Sequence, residues 1–340
     1  MMNNILVVNV NWIGDVIFSS PLFLSLKKAY PKAKISCLAV PRVKDILSMI
    51  EGVDEIIEFD ERGAHRRLLA KLQLIEQLRQ KRFDAAFILH RSLTRAFLIY
   101  LAGIPVRVGY PTKGRQIFLT HPIKEADEKK MHRSDYYLNI VEGFGVNVLD
   151  RSYRLQPSSR DEQEIETILK QNNISQQDRF IVINPGGNWD LKRWPPENWV
   201  GLVEHLSGRF GMKIVISGSA NDQSLSQQIM ERSRQNHVID LSAKTNLKQL
   251  AALFKKAQLV ISADSGPLHI AAGVTTPCIG IFGPTRSEIT GTRGKQKSII
   301  LQKDVGCNRG ACYFLECPDN VCMQAVTIRD VYEAAQQIIR

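Results

Sequence analysis

The feature that most constrains this chain is an alternation, met twice, of short apolar runs with longer amphipathic ones. In the first half the apolar runs are Ile5 to Val10, Lys34 to Val40, Glu55 to Phe59, Asp84 to Leu89 and Val106 to Tyr110. Between them, in Ser19 to Tyr30, Val43 to Ile50 and Arg66 to Gln80, apolar residues recur three and four apart, the spacing of one helix face. Strands alternating with helices predict a parallel, doubly wound sheet. The pattern lapses in the polar stretch RSYRLQPSSRDEQ (Arg151 to Gln163), where a Ser-Ser-Arg-Asp capping sequence opens a helix. It then restarts with Phe180 to Gly187, Lys213 to Ser219, Val238 to Ser242, Leu259 to Gly266 and Cys278 to Thr285. The expected fold class is α/β, with two Rossmann-like domains, and 340 residues are enough for two cores. The boundary is placed at Pro157: residues 1–157, residues 158–326, and an amphipathic closing helix over 327–340.

In open parallel sheets ligands bind beyond the carboxyl ends of the strands. With two such domains face to face, the loops after the strands of both halves are expected to line one interdomain cleft. In ISADSGPLHIAAG (Ile261 to Gly273) a buried strand leads to Asp264 and Ser265; Gly266 then allows close backbone approach, and Pro267 and His269 sit on the first helical turn. A helix N-terminus beside a glycine suits a diphosphate. The alternative is a capping Asp and a packed core His. In NPGGNWDLKRWPPENW (Asn184 to Trp199), Gly186 and Gly187 form a second backbone cradle, and Lys192 and Arg193 can neutralise a departing phosphate. After the strand ending at Ser219, Asp222 either takes a ribose diol or caps a helix. Neither GxGxxG nor GxxxxGK[ST] occurs, which speaks against a dinucleotide dehydrogenase and a P-loop phosphohydrolase. NWIGDV, after the first strand, places an acid, Asp15, where such folds usually cradle phosphate.

The formal charge is +11, and between Glu61 and Arg133 16 Lys or Arg face 6 Asp or Glu, a local excess of 10. That segment suits a polyanion such as an anionic headgroup or a phosphorylated glycolipid, or else is a solvated face. Nucleic acid is not expected, because finger motifs and interleaved aromatics are absent. The chain enters its first strand without signal-peptide features, and its longest apolar stretch outside the strands, Ala96 to Val106, is too short to span a bilayer. A cytoplasmic location is expected. Cys307, Cys312, Cys317 and Cys322 stand five apart in CNRGACYFLECPDNVC; four thiols this close either converge on a metal or are reduced structural thiols.

Taken together, NWIGDVIFSSPLFLSLKKAYP, NPGGNWDLKRWP and ADSGPLHIAAGVTTPCIGIFGPT, with LAGIPVRVGY and HRSDYYL, resemble the family 9 glycosyltransferases, the ADP-heptose:lipopolysaccharide heptosyltransferases, most closely their heptosyltransferase II branch. The resemblance implies a GT-B fold whose C-terminal helix packs back on the first domain. It also implies inverting transfer of heptose from ADP-heptose without an obligatory metal or cofactor. It assigns the general base to Asp15 and a phosphate contact to Lys192. Asp264, Ser265, Gly266 and His269 would hold heptose and diphosphate, with Gly186 and Gly187 beside them and Asp222 on the nucleoside side. Asn11, Gly14, Arg91, Arg95 and Arg115 would meet an anionic glycolipid acceptor, heptosyl-Kdo2-lipid A, at the cytoplasmic face of the inner membrane. The cysteine segment is similar to those of this branch. Another donor or acceptor, a sugar-nucleotide epimerase or hydrolase on the same fold, and a non-catalytic glycolipid-binding protein remain as alternatives.

Overall fold

The computed structural model describes residues 2–187, 189–233, 237–307, 312 and 316–339. The chain divides between Arg154 and Leu155 into two compact units. In the first, β1 (Asn4–Val8), β2 (Lys34–Ala39), β3 (Glu55–Glu58), β4 (Ala85–Ile88), β5 (Val106–Gly109) and β6 (His121–Pro122) form one parallel sheet in the order β3-β2-β1-β4-β5-β6. Ile5 to Val8 and Ala85 to Ile88 are wholly buried, which is why the central strands read as unbroken apolar runs. The helices are α1 (Ile13–Phe18), α2 (Ser20–Ala29), α3 (Lys44–Ser48), α4 (Leu68–Gln80), α5 (Leu93–Leu101) and α6 (Arg133–Gly143). Leu74, Ile75 and Leu78 of α4 and Ala96 and Ile99 of α5 share a core cluster with Leu6, Val8, Ala86 and Ile88 of the sheet.

The second unit repeats the plan. Strands β7 (Phe180–Asn184), β8 (Lys213–Ile216), β9 (Val238–Asp240), β10 (Leu259–Ala263), β11 (Cys278–Phe282) and β12 (Ser298–Gln302) stand in the order β12-β11-β10-β7-β8-β9, again parallel. Its helices are α7 (Ser159–Gln171), α8 (Pro196–Phe210), α9 (Gln223–Arg232), α10 (Leu247–Lys256), α11 (Gly266–Gly273), α12 (Ser287–Thr290), α13 (Val321–Gln324) and α14 (Ile328–Ile338). Ser158 and Asp161 close a capping box on α7, as the Ser-Ser-Arg-Asp stretch predicts. Trp194 and Trp199, both fully buried, meet edge to face at 5.1 Å, and the Trp194 indole donates to the Val326 carbonyl at 2.8 Å. These rings anchor the segment that follows Lys192.

One feature departs from the sequence expectation. Each sheet has a sixth strand that the pattern hides. β6 is only two exposed residues, and β12 is an edge strand whose side chains are all half-buried, so neither carries a buried apolar run. Val331, Ala334 and Ala335 of α14 are buried in the second unit's core cluster with Trp199, Leu202 and Ile279, and α14 packs on α8. Its apolar stripe is thereby satisfied where the chain ends. Among the described residues no helix is long and apolar enough to cross a membrane.

In both sheets the strand order reverses beside the opening strand, between β1 and β4 and between β7 and β10. The loops after these four strands therefore stand at topological switch points, where doubly wound sheets hold ligands.

Candidate active site

In the first unit the loop after β1 runs through Asn9 to Trp12 into α1, placing Gly14 and Asp15 in its first turn. The Tyr137 hydroxyl, from α6, donates to Asp15 Oδ1 at 2.7 Å. Burial, reinforced by the Asp15 charge and this hydrogen bond, pushes the Tyr137 phenol well above its usual range, so it stays a donor. Arg133, four residues earlier on the same helix, is desolvated, yet the neighbouring Tyr137 oxygen and Asp15 carboxylate, with the Glu128 partner at 3.0 Å, hold its pKa above the ordinary value.

The loop after β4 carries His90 and Arg91. The His90 ring nitrogens face the Ser92 amide at 3.2 Å and the Asn11 side-chain nitrogen at 3.1 Å. Burial first, then the charges of Arg95, Arg115 and Lys113, lower its pKa to about 3. Arg95 is fully buried: it pairs with Glu61 at 2.7 Å and donates to the Asn9 carbonyl at 2.9 Å and to Asn11 Oδ1 at 3.0 Å. Arg91 bridges Glu125 and Glu128 at 3.2 and 2.7 Å. Arg115 is equally buried; it donates to the carbonyls of Tyr110 and His90, while its Nη2 has no hydrogen-bond partner. Burial, helped by Arg91, lowers its pKa to about 10, which leaves it charged at neutral pH.

In the second unit the loop after β7 brings Lys192 to Asp264, Nζ to Oδ2 at 2.7 Å, and the Thr285 hydroxyl donates to the same oxygen at 2.6 Å. Asp264 is only 5 % exposed, so the lysine compensates a buried charge. His269, also buried, has Nε2 at 3.9 Å from Asp264 Oδ1. Ser265 is the N-cap of α11 but makes no side-chain cap; its hydroxyl contacts Ser262 at 3.1 Å. The first turn of α11, from Gly266, thus offers backbone N–H groups beside Asp264. Arg193 donates twice to the Gly187 carbonyl, at 3.0 and 3.1 Å, and fixes the glycine loop.

These motifs stand in the order of a known family. The sequence profile described as glycosyltransferase family 9 (heptosyltransferase) matches residues 71–312. The chain belongs to glycosyltransferase family 9. It is 29 % identical over 306 residues to lipooligosaccharide heptosyltransferase 2 of Haemophilus influenzae, covering 87 % of this chain and 88 % of that protein. A family 9 glycosyltransferase from Veillonella parvula superposes with a TM-score of 0.86 at 22 % identity, over 99 % of this chain and 97 % of that one. The ADP-heptose LPS heptosyltransferase II of E. coli superposes with a TM-score of 0.80 at 24 % identity, over 98 % of each chain. The two Rossmann-like units are those of the GT-B fold.

Within this family 9 glycosyltransferase the structure brings Lys192, Asp264, Ser265, Gly266 and His269 together, and sets Asn11, Gly14 and Asp15 at one loop. Three of the residues expected to bind ligand are already engaged. Arg95 is not at a surface; it buttresses Asn11 and the β1 loop. Arg91 is neutralised by two glutamates. Asp222 accepts from the Ser219 amide at 2.8 Å and its hydroxyl at 2.6 Å, with Arg193 at 3.4 Å, which is the helix-cap alternative. A Cβ on Gly186 would fall 2.2 Å from the Asp222 Cγ, so this glycine makes room for that cap. Sequence reasoning missed Tyr137, Arg133, Thr285 and His90. The signal for the first two is their four-residue spacing in HRSDYYL, which stacks them on one helix face.

Cys307, Cys312, Cys317 and Cys322 line one cavity of about 660 Å³ in the second unit. Burial raises the Cys322 thiol above its usual range, with Cys317 and Cys307 adding to it. Among the described residues no three His, Cys, Asp or Glu side chains form a metal-ready set.

Proposed function

We propose that this glycosyltransferase moves heptose from ADP-L-glycero-β-D-manno-heptose to the lipopolysaccharide inner core, heptosyl-Kdo2-lipid A, with inversion at the anomeric carbon. The heptosyltransferase 2 relative and the heptosyltransferase II structure support the choice of donor and acceptor. One observation carries the mechanism: the Asp15 carboxylate stands at the carboxyl end of β1 and is held by the Tyr137 hydroxyl. In this reading Asp15 takes the proton of an acceptor hydroxyl while its oxygen bonds to the anomeric carbon. The bond from that carbon to the diphosphate oxygen breaks, and ADP leaves. Lys192 and the first-turn amides of α11 meet the charge that builds on the diphosphate. Arg115, a buried cation with a spare donor, is the first-unit residue best prepared for a phosphate of the acceptor. The acceptor is a membrane glycolipid, so the protein works peripherally at the cytoplasmic membrane face.

The test is to follow ADP release from ADP-heptose with and without heptosyl-Kdo2-lipid A, and to read the anomeric configuration of the product. Release that depends on the acceptor is expected. Donor consumed equally well without acceptor would replace this reading with a hydrolase or epimerase.

A further inference from the structure

Ten large apolar side chains are exposed among the described residues, and seven of them fall between Leu68 and Ile117. Leu93, Phe97 and Tyr100, at positions i, i+4 and i+7, form the outward stripe of α5 and are 45, 41 and 47 % exposed, while Ala96 and Ile99 face the core. On α4, Leu68, Leu69 and Leu72 are 72, 67 and 50 % exposed, while Leu74, Ile75 and Leu78 are buried. A helix that only faces water carries polar residues in those places. α4 packs beside α5, and α5 packs on the turn Arg115–Phe118, where Ile117 is exposed and the Phe118 ring meets Phe97 at 5.2 Å and Tyr100 at 5.5 Å. Exposed apolar side chains therefore stand on both neighbouring helices and on the turn, and apolar surface gathered in this way marks an interaction site.

Its rim is basic. Arg62, Arg66 and Arg67 are exposed and Lys71 is half-buried, and among the described residues none of them is paired with a carboxylate. Arg107 lies over the Tyr100 ring at 5.3 Å. Exposed leucines and aromatics flanked by uncompensated cations are the composition of a surface that lies in a membrane interface. We propose that the face built by α4, α5 and the turn Arg115–Phe118 seats the protein on an anionic lipid bilayer. Leu68, Leu69, Leu72, Phe97 and Ile117 enter the acyl boundary, and Arg62, Arg66, Arg67 and Lys71 meet headgroup phosphates. The proposal rests on the glycolipid reading above only for why the protein visits a membrane.

The experiment is co-sedimentation of the full chain with acceptor-free vesicles of phosphatidylethanolamine and phosphatidylglycerol, against vesicles of phosphatidylcholine alone, at low and high salt. Binding to the anionic vesicles is expected, weakening with salt. Leu69→Ser with Leu72→Ser should weaken it at least about tenfold, and Arg66→Gln and Arg67→Gln roughly fivefold each. Circular dichroism melts confirm that the variants fold, and turnover on a delipidated, water-soluble acceptor should stay unchanged. Equal binding to both vesicle types, or variants that bind as the parent does, would overturn the proposal. A dimer that the leucine variants dissolve, seen by light scattering, would assign the face to a second copy of this chain. Because the vesicles hold no acceptor, failure of the heptosyl-transfer reading leaves this result standing.

Discussion

The Tyr137 hydroxyl donates to Asp15 Oδ1 across 2.7 Å, tying the first turn of α1 to α6. A hydrogen bond to a charged group is worth about 1.5–3 kcal/mol, so Tyr137→Phe should lower turnover about ten- to a hundredfold by leaving the carboxylate less fixed. If Asp15 is the base of the proposed reaction, Asp15→Asn should cost at least about a hundredfold. In both, ADP affinity measured by calorimetry should match the parent. The combined variant should be little worse than Asp15→Asn, because the tyrosine acts through the acid. Additive losses would show that Tyr137 has a separate task.

Lys192 joins two functions, neutralising Asp264 at 2.7 Å and presenting a cation at the start of α11. Lys192→Ala leaves a nearly buried carboxylate without its cation, and negative where the proposed reading seats the diphosphate. The expected result is ADP binding weakened about ten- to a hundredfold together with a fall in turnover and in melting temperature. Adding Asp264→Asn should restore the melting temperature but not the turnover. If Lys192→Ala bound ADP like the parent, the lysine would lie outside the donor site.

The alternating runs were enough to read the architecture, because a strand buried on both faces writes itself as an unbroken apolar stretch such as ILVV in β1. They could not show β6 and β12, whose side chains have no fully buried face. At the site, glycine turns after strands located both loops, yet residue type alone could not tell a ligand from a scaffold. Arg95 and Asp222 look like binding groups in sequence and are consumed by Glu61 and Ser219 in the fold. Tyr137 lies 122 residues from Asp15, a pairing that no local pattern announces.

The crowding of Gly186 by Asp222 gives a direct test of the scaffold role. Gly186→Ala places a methyl 2.2 Å from the Asp222 Cγ, so the carboxylate must leave Ser219 and the 3-10 turn Ala220–Asp222 that leads into α9 loses its capping box. A loss of about 1–3 kcal/mol in urea unfolding is expected from overpacking and the broken cap. Asp222→Asn, which fits the same space, should be milder in stability and near the parent in donor KM. A donor KM raised more than tenfold by Asp222→Asn, in a protein of unchanged stability, would return Asp222 to the nucleoside site.

His90 gives the fold a pH dependence of definite sign. Its pKa falls from 6.5 to about 3 through burial and the charges of Arg95, Arg115 and Lys113. Between those values the unfolded chain binds a proton that the folded chain refuses, so stability is full above about pH 6.5 and declines as pH falls toward 3. Glu55, lowered from 4.5 to about 2 chiefly by hydrogen bonds from Lys81 and Lys34, loses its contribution only below about pH 4.5. Urea midpoints measured from pH 7.5 down to pH 5 therefore read His90 with little interference from Glu55. The parent should lose stability steadily over that range. His90→Gln, which cannot take up the proton in either state, should show a flatter slope. Parallel slopes in parent and variant would mean that His90 titrates alike in the folded and unfolded chain, and that burial and the cations around it do not shift it.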